Sequence, residues 1–380
     1  MPIKTLFYSL FLSTVVLSSC NQVPPLSYKL NGKDTLYICD LAKVPEQVKD
    51  INLSELVDSF HIINFENSDI ALFKPWKVYI TNQHIGILQD AMSPFKLFDR
   101  TGNYLCDIGG IGQAEGEYTT LYSAAINESE KTIWLAPFNG DKLLKYKMNG
   151  DLISSIKVRS MRKPVIRCEE DNTLTIANLF FKNMPGFLYL RLLTNDSICY
   201  SANEKEYSLN PYGPNGSFIG YNHEVWFYNN TSLFNYMTSA NDTLLSYDVI
   251  RGKTIPRFTA HSFTDENYYV FDEITTCFLI SIYNLKGISG QKLAIADKVT
   301  GNTSYVKIHN DFLGGLPVTK FTPSNGWYYE MFEPTELIEL IENYLLNKDI
   351  SKNKKDILNK LLTTIDDNGN NILFLGKLSQ

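Results

Sequence analysis

The chain predicts an all-β fold: a six-bladed β-propeller of four-stranded antiparallel blades, with a helical insertion in the last blade. Three observations carry that expectation. Residues 85–108 and 133–156 align without a gap, setting Gly102 on Gly150, Phe98 on Tyr146 and Ile87 on Leu135, a period of 48 residues. Weaker copies of the same strand, turn and strand pattern continue toward the C-terminus. Between the last two strand-like segments the apolar spacing changes from that of a strand to that of a helix. Repeats of about 40–50 residues, each holding about four short strands, mark radial β architectures, because one such sheet cannot bury both faces alone.

The N-terminus is a separate device. Lys4 precedes an apolar run from Leu6 to Leu17, interrupted only by hydroxyls, and the run ends Leu17-Ser18-Ser19-Cys20. It is shorter than the roughly 20 apolar residues that span a bilayer, so it reads as a signal peptide. Its ending resembles the lipobox of bacterial lipoproteins, which implies acylation of Cys20 and anchoring to a lipid bilayer, periplasmic or surface-facing. The expected organisation is therefore a lipoprotein signal over 1–19, a lipidated tether over 20–34 and a propeller over 35–380. Pro24 and Pro25 suit an extended spacer within the tether.

The first blade is expected from Lys77 to Ile108 and the second from Leu121 to Val158. In each, a polar turn with glycine (Gly102, Gly150) precedes the last strand, where a positive φ is needed. Thr173 to Ala177 with Leu188 to Leu192, Thr243 to Asp248, and Lys292 to Lys298 predict blades three to five. The sixth opens near Lys320 and finishes with Asn371 to Leu378. Between its strands Pro334 to Glu342 and Ile357 to Ile365 have helical spacing, with proline and acids at the start as a helix prefers. The insertion is placed at about 334–365. Ring closure is expected from Thr35 to Cys39 or from Phe60 to Phe65, since a terminal strand completing the last blade removes an exposed edge. Ser54 to Val57 predicts a short helical turn.

Composition bounds the partners. With 35 Lys and Arg against 41 Asp and Glu, the formal charge is −6 and no basic run occurs, which argues against nucleic acid. Apart from Cys20 there are five cysteines, with no C-x-x-C and no close spacing, so buried free thiols are expected rather than a disulfide framework.

Together the Cys20 lipobox, the opening Ile51-Asn52-Leu53-Ser54-Glu55-Leu56-Val57, Phe98-Asp99-Arg100-Thr101-Gly102, the loop Gly112-Gln113-Ala114-Glu115-Gly116-Glu117-Tyr118 and the closing Asp366-Asp367-Asn368 before Ile372-Leu373-Phe374-Leu375 carry a resemblance. The chain resembles the six-bladed β-propeller lipoproteins of Bacteroidetes, related in shape to NHL and TolB-type propellers. The resemblance covers essentially the whole mature chain. It departs at Ala114 and Glu115, where the family has a Gly-Pro step, and at Gly369-Asn370-Asn371, where it has Asn-Pro. It implies a fold and a location, and no chemistry. Asp34-Thr35-Leu36, Asp196-Ser197-Ile198 and Asp242-Thr243-Leu244 also match the O-glycosylation pattern of exported Bacteroidetes proteins, and equally suit a turn before a strand.

Motifs for catalysis are weak. Gly110, Gly112 and Gly116 miss the dinucleotide spacing by one residue and no helix pattern follows, so the loop reads as an inter-blade connection. The five histidines are scattered, and no nucleophile elbow or P-loop occurs. No cofactor or metal is predicted. Asp69, Asp90, Asp141, Asp265, Glu266 and Asp272 sit near predicted strand ends, and mostly read as turn formers. Trp76, Trp134, Trp226 and Trp327 suit either core packing or a ligand platform. The candidate binding residues are Gly112, Gln113, Glu117 and Tyr118 of the loop, with Trp76. The leading expectation is a membrane-anchored binding or scaffold module for a protein, peptide or glycan. The alternative is a propeller hydrolase or lyase acting on a carbohydrate or lactone with axial acids and a metal. A third reading makes the helical insertion the docking element.

Overall fold

The computed structural model describes residues 24–379 apart from 90–92, 202–204, 220–221, 265, 287–290 and 347–349. The signal segment, Cys20, Asp90 and Asp265 lie outside the described residues.

Six antiparallel sheets form a ring of blades, each meandering from an inner to an outer strand. Blade one comprises Pro75–Ile80, His84–Gln89, Phe95–Asp99 and Tyr104–Ile108, and blade two Leu121–Asn127, Thr132–Pro137, Asn139–Lys147 and Leu152–Arg162. The internal repeat is thus structural: strand starts at His84 and Tyr104 recur at Thr132 and Leu152. Gly102 and Gly150 hold φ 92° and 88° in the matching turns, where a Cβ would lie 2.5 Å from the Asn64 carbonyl and 2.7 Å from that of Asp107. Blade three runs through Val165–Cys168, Leu174–Ala177, Tyr189–Leu192 and Ile198–Tyr200. Blade four spans Val225–Trp226, Phe234–Thr238, Thr243–Asp248 and Lys253–His261, and blade five Asn267–Glu273, Cys277–Asn284, Lys292–Asp297 and Thr303–Asn310.

Blade six is built from both ends of the chain. Thr322–Ser324, Trp327–Phe332 and Ile372–Leu378 are completed by Val57–Asn64, which pairs antiparallel with the last of these. Of the two closing candidates, the second is therefore the closing strand. The first, observed as Asp34–Asp40, instead pairs parallel with Lys253–His261 on the outside of blade four. Asp34 begins that strand and accepts from Arg251, at 2.5 Å from Nη2. Within the segment expected as a tether over 20–34, Leu26–Asn31 is a strand in antiparallel register with Asp34–Asp40, and Leu26 is buried. Its backbone groups find partners in a hairpin rather than in solvent. Lys49–Asn52 then pairs parallel with the outer strand of blade five, and the predicted helical turn follows as a 3-10 turn at Leu53–Glu55. The N-terminal segment therefore covers the outer edges of blades four, five and six in succession, where unpaired strand edges would otherwise invite association.

The insertion holds two helices, α1 (Pro334–Leu345) and α2 (Lys352–Leu362). Proline at the first helical position and the Glu336 carboxylate accepting from the Glu333 N–H start α1. Leu337, Ile341, Leu358 and Leu361 are buried against Leu316, Phe332 and Phe374, so the helices roof part of blade six rather than standing apart from it. Among the described residues all five cysteines are free. Cys39 and Cys277 are buried as expected, and burial pushes their thiols up to about 11 and about 12. The other three depart from that expectation: Cys106 and Cys168 are half-buried, and Cys199 is exposed, because Ile198–Tyr200 is the outer edge of blade three.

Candidate functional site

Inner strands converge on the axis, so every blade offers side chains to one central channel. A cavity of about 430 Å³ opens there, its wall including Trp76, Lys77 and Tyr79 of blade one, Tyr122 of blade two and Trp226 of blade four. Asp272 and Tyr268 of blade five and Tyr329 of blade six complete the ring. A second cavity, about 540 Å³, shares Tyr79 and Tyr228 with it and is lined by Glu128, Glu169, Trp327 and Lys377. Burial pushes the phenols of Tyr79, Tyr228 and Tyr329 above their ordinary value, so they remain neutral hydrogen-bonding groups at the centre.

A third cavity, about 630 Å³, runs between α1 and the channel. It shares Trp76, Val78, Lys320, Thr322 and Tyr329 with the first, so the two abut at these residues. Glu333, Glu336, Glu339 and Asn343 line its helix side, and Lys74 and Lys320 also face it. Trp76 stands at the junction. It is 46 % exposed, unusual for an indole, and packs edge-on to Tyr122 with ring centres 5.5 Å apart.

The polar groups of the channel are unevenly solvated. Lys77 Nζ donates to the Tyr122 carbonyl at 2.8 Å and lies 3.6 Å from the Tyr122 ring centre and 4.5 Å from that of Trp76. The ring faces favour an ammonium, while burial opposes it. Burial pushes Lys77 down to about 7; Glu224 resists the shift and Lys163 adds to it. Glu224 itself bridges Lys163 and the Tyr122 hydroxyl, the latter at 2.9 Å. Asp272 accepts from Asn230 Nδ2 at 2.5 Å and is 6 % exposed; burial pushes its carboxyl up to about 7. Trp226, Tyr268 and Tyr283 form a run of near-parallel rings along the same wall, with successive centres 6.5 and 4.9 Å apart.

Of the sequence-predicted binding residues, Trp76 faces both the channel and the groove. Gly112, Gln113, Glu117 and Tyr118 lie together elsewhere, in the connection between blades one and two, and line none of these three cavities. There Gly110–Ile111 pairs with Glu117–Tyr118, the Glu117 carboxylate accepts from the Ala114 N–H at 2.8 Å, and a Cβ on Gly112 would strike that carboxylate. The Tyr118 hydroxyl accepts from the Phe95 N–H and donates to the Ile108 carbonyl, tying the loop to blade one. Gln113 is exposed. Among the acids singled out from sequence, Asp272 reaches the channel, while Asp141 and Glu266 pair at the surface with Lys157 and Lys286. Trp134 is buried in the core between blades two and three, whereas Trp226 lines the channel and Trp327 the second cavity. Sequence reasoning missed Lys77, Tyr122, Glu224 and the acids of α1. The available signal for Lys77 was a cation inside the strand Pro75–Ile80, where apolar neighbours predict burial. Among the described residues, no three His, Cys, Asp or Glu side chains come together in a way that could hold a metal ion, so the donor set of the metal-dependent alternative is not found there.

A protein of Bacteroides fragilis NCTC 9343 described as exported superposes with a TM-score of 0.62 at 17% identity, over 88% of this chain and 98% of its own. A member of the DUF4221 family from Bacteroides vulgatus ATCC 8482 aligns over 85% of this chain and 97% of its own, with a TM-score of 0.44 and 10% identity. No curated protein matches the sequence. The family model described as a domain of unknown function, DUF4934, matches residues 36–377, and the chain, a six-bladed β-propeller, belongs to that family.

Proposed function

We propose that this protein is a lipid-anchored propeller of the cell envelope that binds a glycan across the channel mouth and the groove beside α1. The observation that carries the reading is Trp76, an exposed indole at the junction of two abutting cavities whose walls alternate aromatic rings with carboxylates, amides and hydroxyls. Sugars present C–H faces that pack on aromatic rings and hydroxyls that need fixed polar partners, and such pockets combine both. The continuity of the groove with α1 gives the insertion a part in the same site. An envelope location is supported by the Leu6 to Cys20 segment and by the exported description of the Bacteroides fragilis protein; among the described residues no helix is long and apolar enough to cross a membrane.

The test is a glycan array on the mature protein, followed by fluorescence titration of the hits with wild type and Trp76→Ala. The expected result is a loss of about tenfold or more in affinity, about 1.4 kcal/mol, in the variant. Undiminished affinity in Trp76→Ala overturns the placement of the site, and binding of peptides with no glycan bound overturns the ligand class. Fractionation of cells expressing Cys20→Ala tests the anchor: the protein should leave the membrane fraction, and its retention there refutes acylation at Cys20.

A further inference from the structure

We infer that the channel end of this site is an anion subsite, in which the Lys77 ammonium pairs with one carboxylate at the end of a saccharide. The inference rests on the glycan reading and narrows it to an acidic sugar, a terminal uronic acid.

Three observations converge on Lys77. Its amine lies in the cavity wall, and its hydrogen bond goes to a backbone carbonyl, that of Tyr122, leaving further N–H groups directed away from that bond. Glu224 acts on Lys77 electrostatically, but one of its oxygens is engaged by Lys163 and the other by the Tyr122 hydroxyl. Among the described residues Lys77 makes no ion pair, and the cluster holds two ammonium groups against one carboxylate. His223, beside Glu224, adds no charge near neutrality, since burial and then Lys163 push it down. A half-buried cation that makes no ion pair is costly, and an arriving carboxylate offsets that cost.

The other charged groups of the walls limit how many acids the ligand can carry. Lys320 and Asp272 also line the channel cavity. Along the groove, Glu336 and Glu339 of α1, Glu333 just before it and Glu330 of the preceding strand line the wall together with Lys74 and Lys320. A second carboxylate there would meet like charge. A single terminal acid in the channel, followed by neutral sugars along the groove, matches the whole surface. Because Lys77 titrates near neutrality, the pairing is strongest below that point and is lost as pH rises through it.

The probes are a neutral trisaccharide capped by glucuronic acid and the methyl ester of the same compound, titrated against the mature protein at about pH 6 and about pH 8.5. The acid should bind the wild type about tenfold or more tightly than the ester at the lower pH, and the preference should shrink at the higher one. Lys77→Met should erase the preference without lowering the melting temperature, because it removes a half-buried charge that makes no ion pair. If that variant does not fold, the pH arm on the wild type decides. Equal, pH-independent binding of acid and ester overturns the anion subsite and leaves the glycan reading standing. Failure of both probes while neutral glycans bind overturns it as well, whereas failure of every saccharide overturns the glycan reading beneath it.

Discussion

Glu273→Ala should destabilise the propeller by about 3–5 kcal/mol, the range for breaking a buried ion pair by removing one partner. Glu273 ends the inner strand of blade five, and its side chain is 2 % exposed. Its oxygens accept from Arg257 at 2.6 and 2.9 Å, from Asn235 at 2.9 Å, and lie 2.8 Å from Lys298 Nζ. Arg257 and Asn235 belong to blade four and Lys298 to blade five, so one carboxylate clamps two blades. Burial alone would raise its pKa; the Arg257 bonds and the charges of Lys298 and Arg257 outweigh it and hold it below the usual range. Each charged hydrogen bond contributes about 1.5–3 kcal/mol, but Arg257 and Lys298 recover some water because their side chains keep 20 % and 14 % exposure, which brings the loss down to the stated range. The assay is urea unfolding at neutral pH, reading the midpoint at constant slope. A folded pKa below the unfolded value near about 4.3 means the contribution is full above that value and fades as pH falls through the folded one. The advantage of wild type over Glu273→Gln should therefore narrow in acid. A loss under about 1 kcal/mol for Glu273→Ala at neutral pH refutes the clamp, since that is the scale of an exposed pair.

Two further outcomes are expected. Gly102→Ala should cost about 1–3 kcal/mol, because φ is 92° and the new Cβ would meet the Asn64 carbonyl of the closing strand at 2.5 Å. Gly32→Ala, at φ 63° with open space, should cost less, and equal losses in thermal unfolding would remove the argument from contact. Asp272, pushed up to about 7 by burial, binds its proton more tightly folded than unfolded, so its effect is absent below about pH 4, grows toward neutrality and then levels off. Asp272→Asn, which can still accept from Asn230, should match wild type in melting temperature near pH ~4 and exceed it near pH ~8; parallel curves would contradict a buried, uncompensated acid.

Blades one and two were legible because their turns and strands recur at one spacing, so two independent copies point to the same burial pattern. Blades three and four were less so. Between Leu174–Ala177 and Tyr189–Leu192, and again between Ile198–Tyr200 and Val225–Trp226, long connections break the spacing that exposes a repeat. The insertion announced itself by period, and Pro334 with Glu336 marked its start. That its apolar stripe seals Phe332 and Phe374 was not visible, since the partners are strands on either side of it in sequence.

What the sequence determined by itself, apart from the 48-residue repeat that points to a ring of blades, is local: which segments alternate, which turns need glycine, and where a helix replaces a strand. These follow from neighbours a few residues apart, whose burial alternates with the pleat or the helical turn. Which N-terminal strand closes the ring, and which side chains meet at the axis, were decided only by the tertiary structure. Asp34–Asp40 and Val57–Asn64 both suit an edge, and the choice depends on where each reaches once blades four to six are assembled. Lys77, Tyr122, Glu224 and Asp272 come from four blades, and nothing within any one strand records how ring closure turns their side chains toward a common channel.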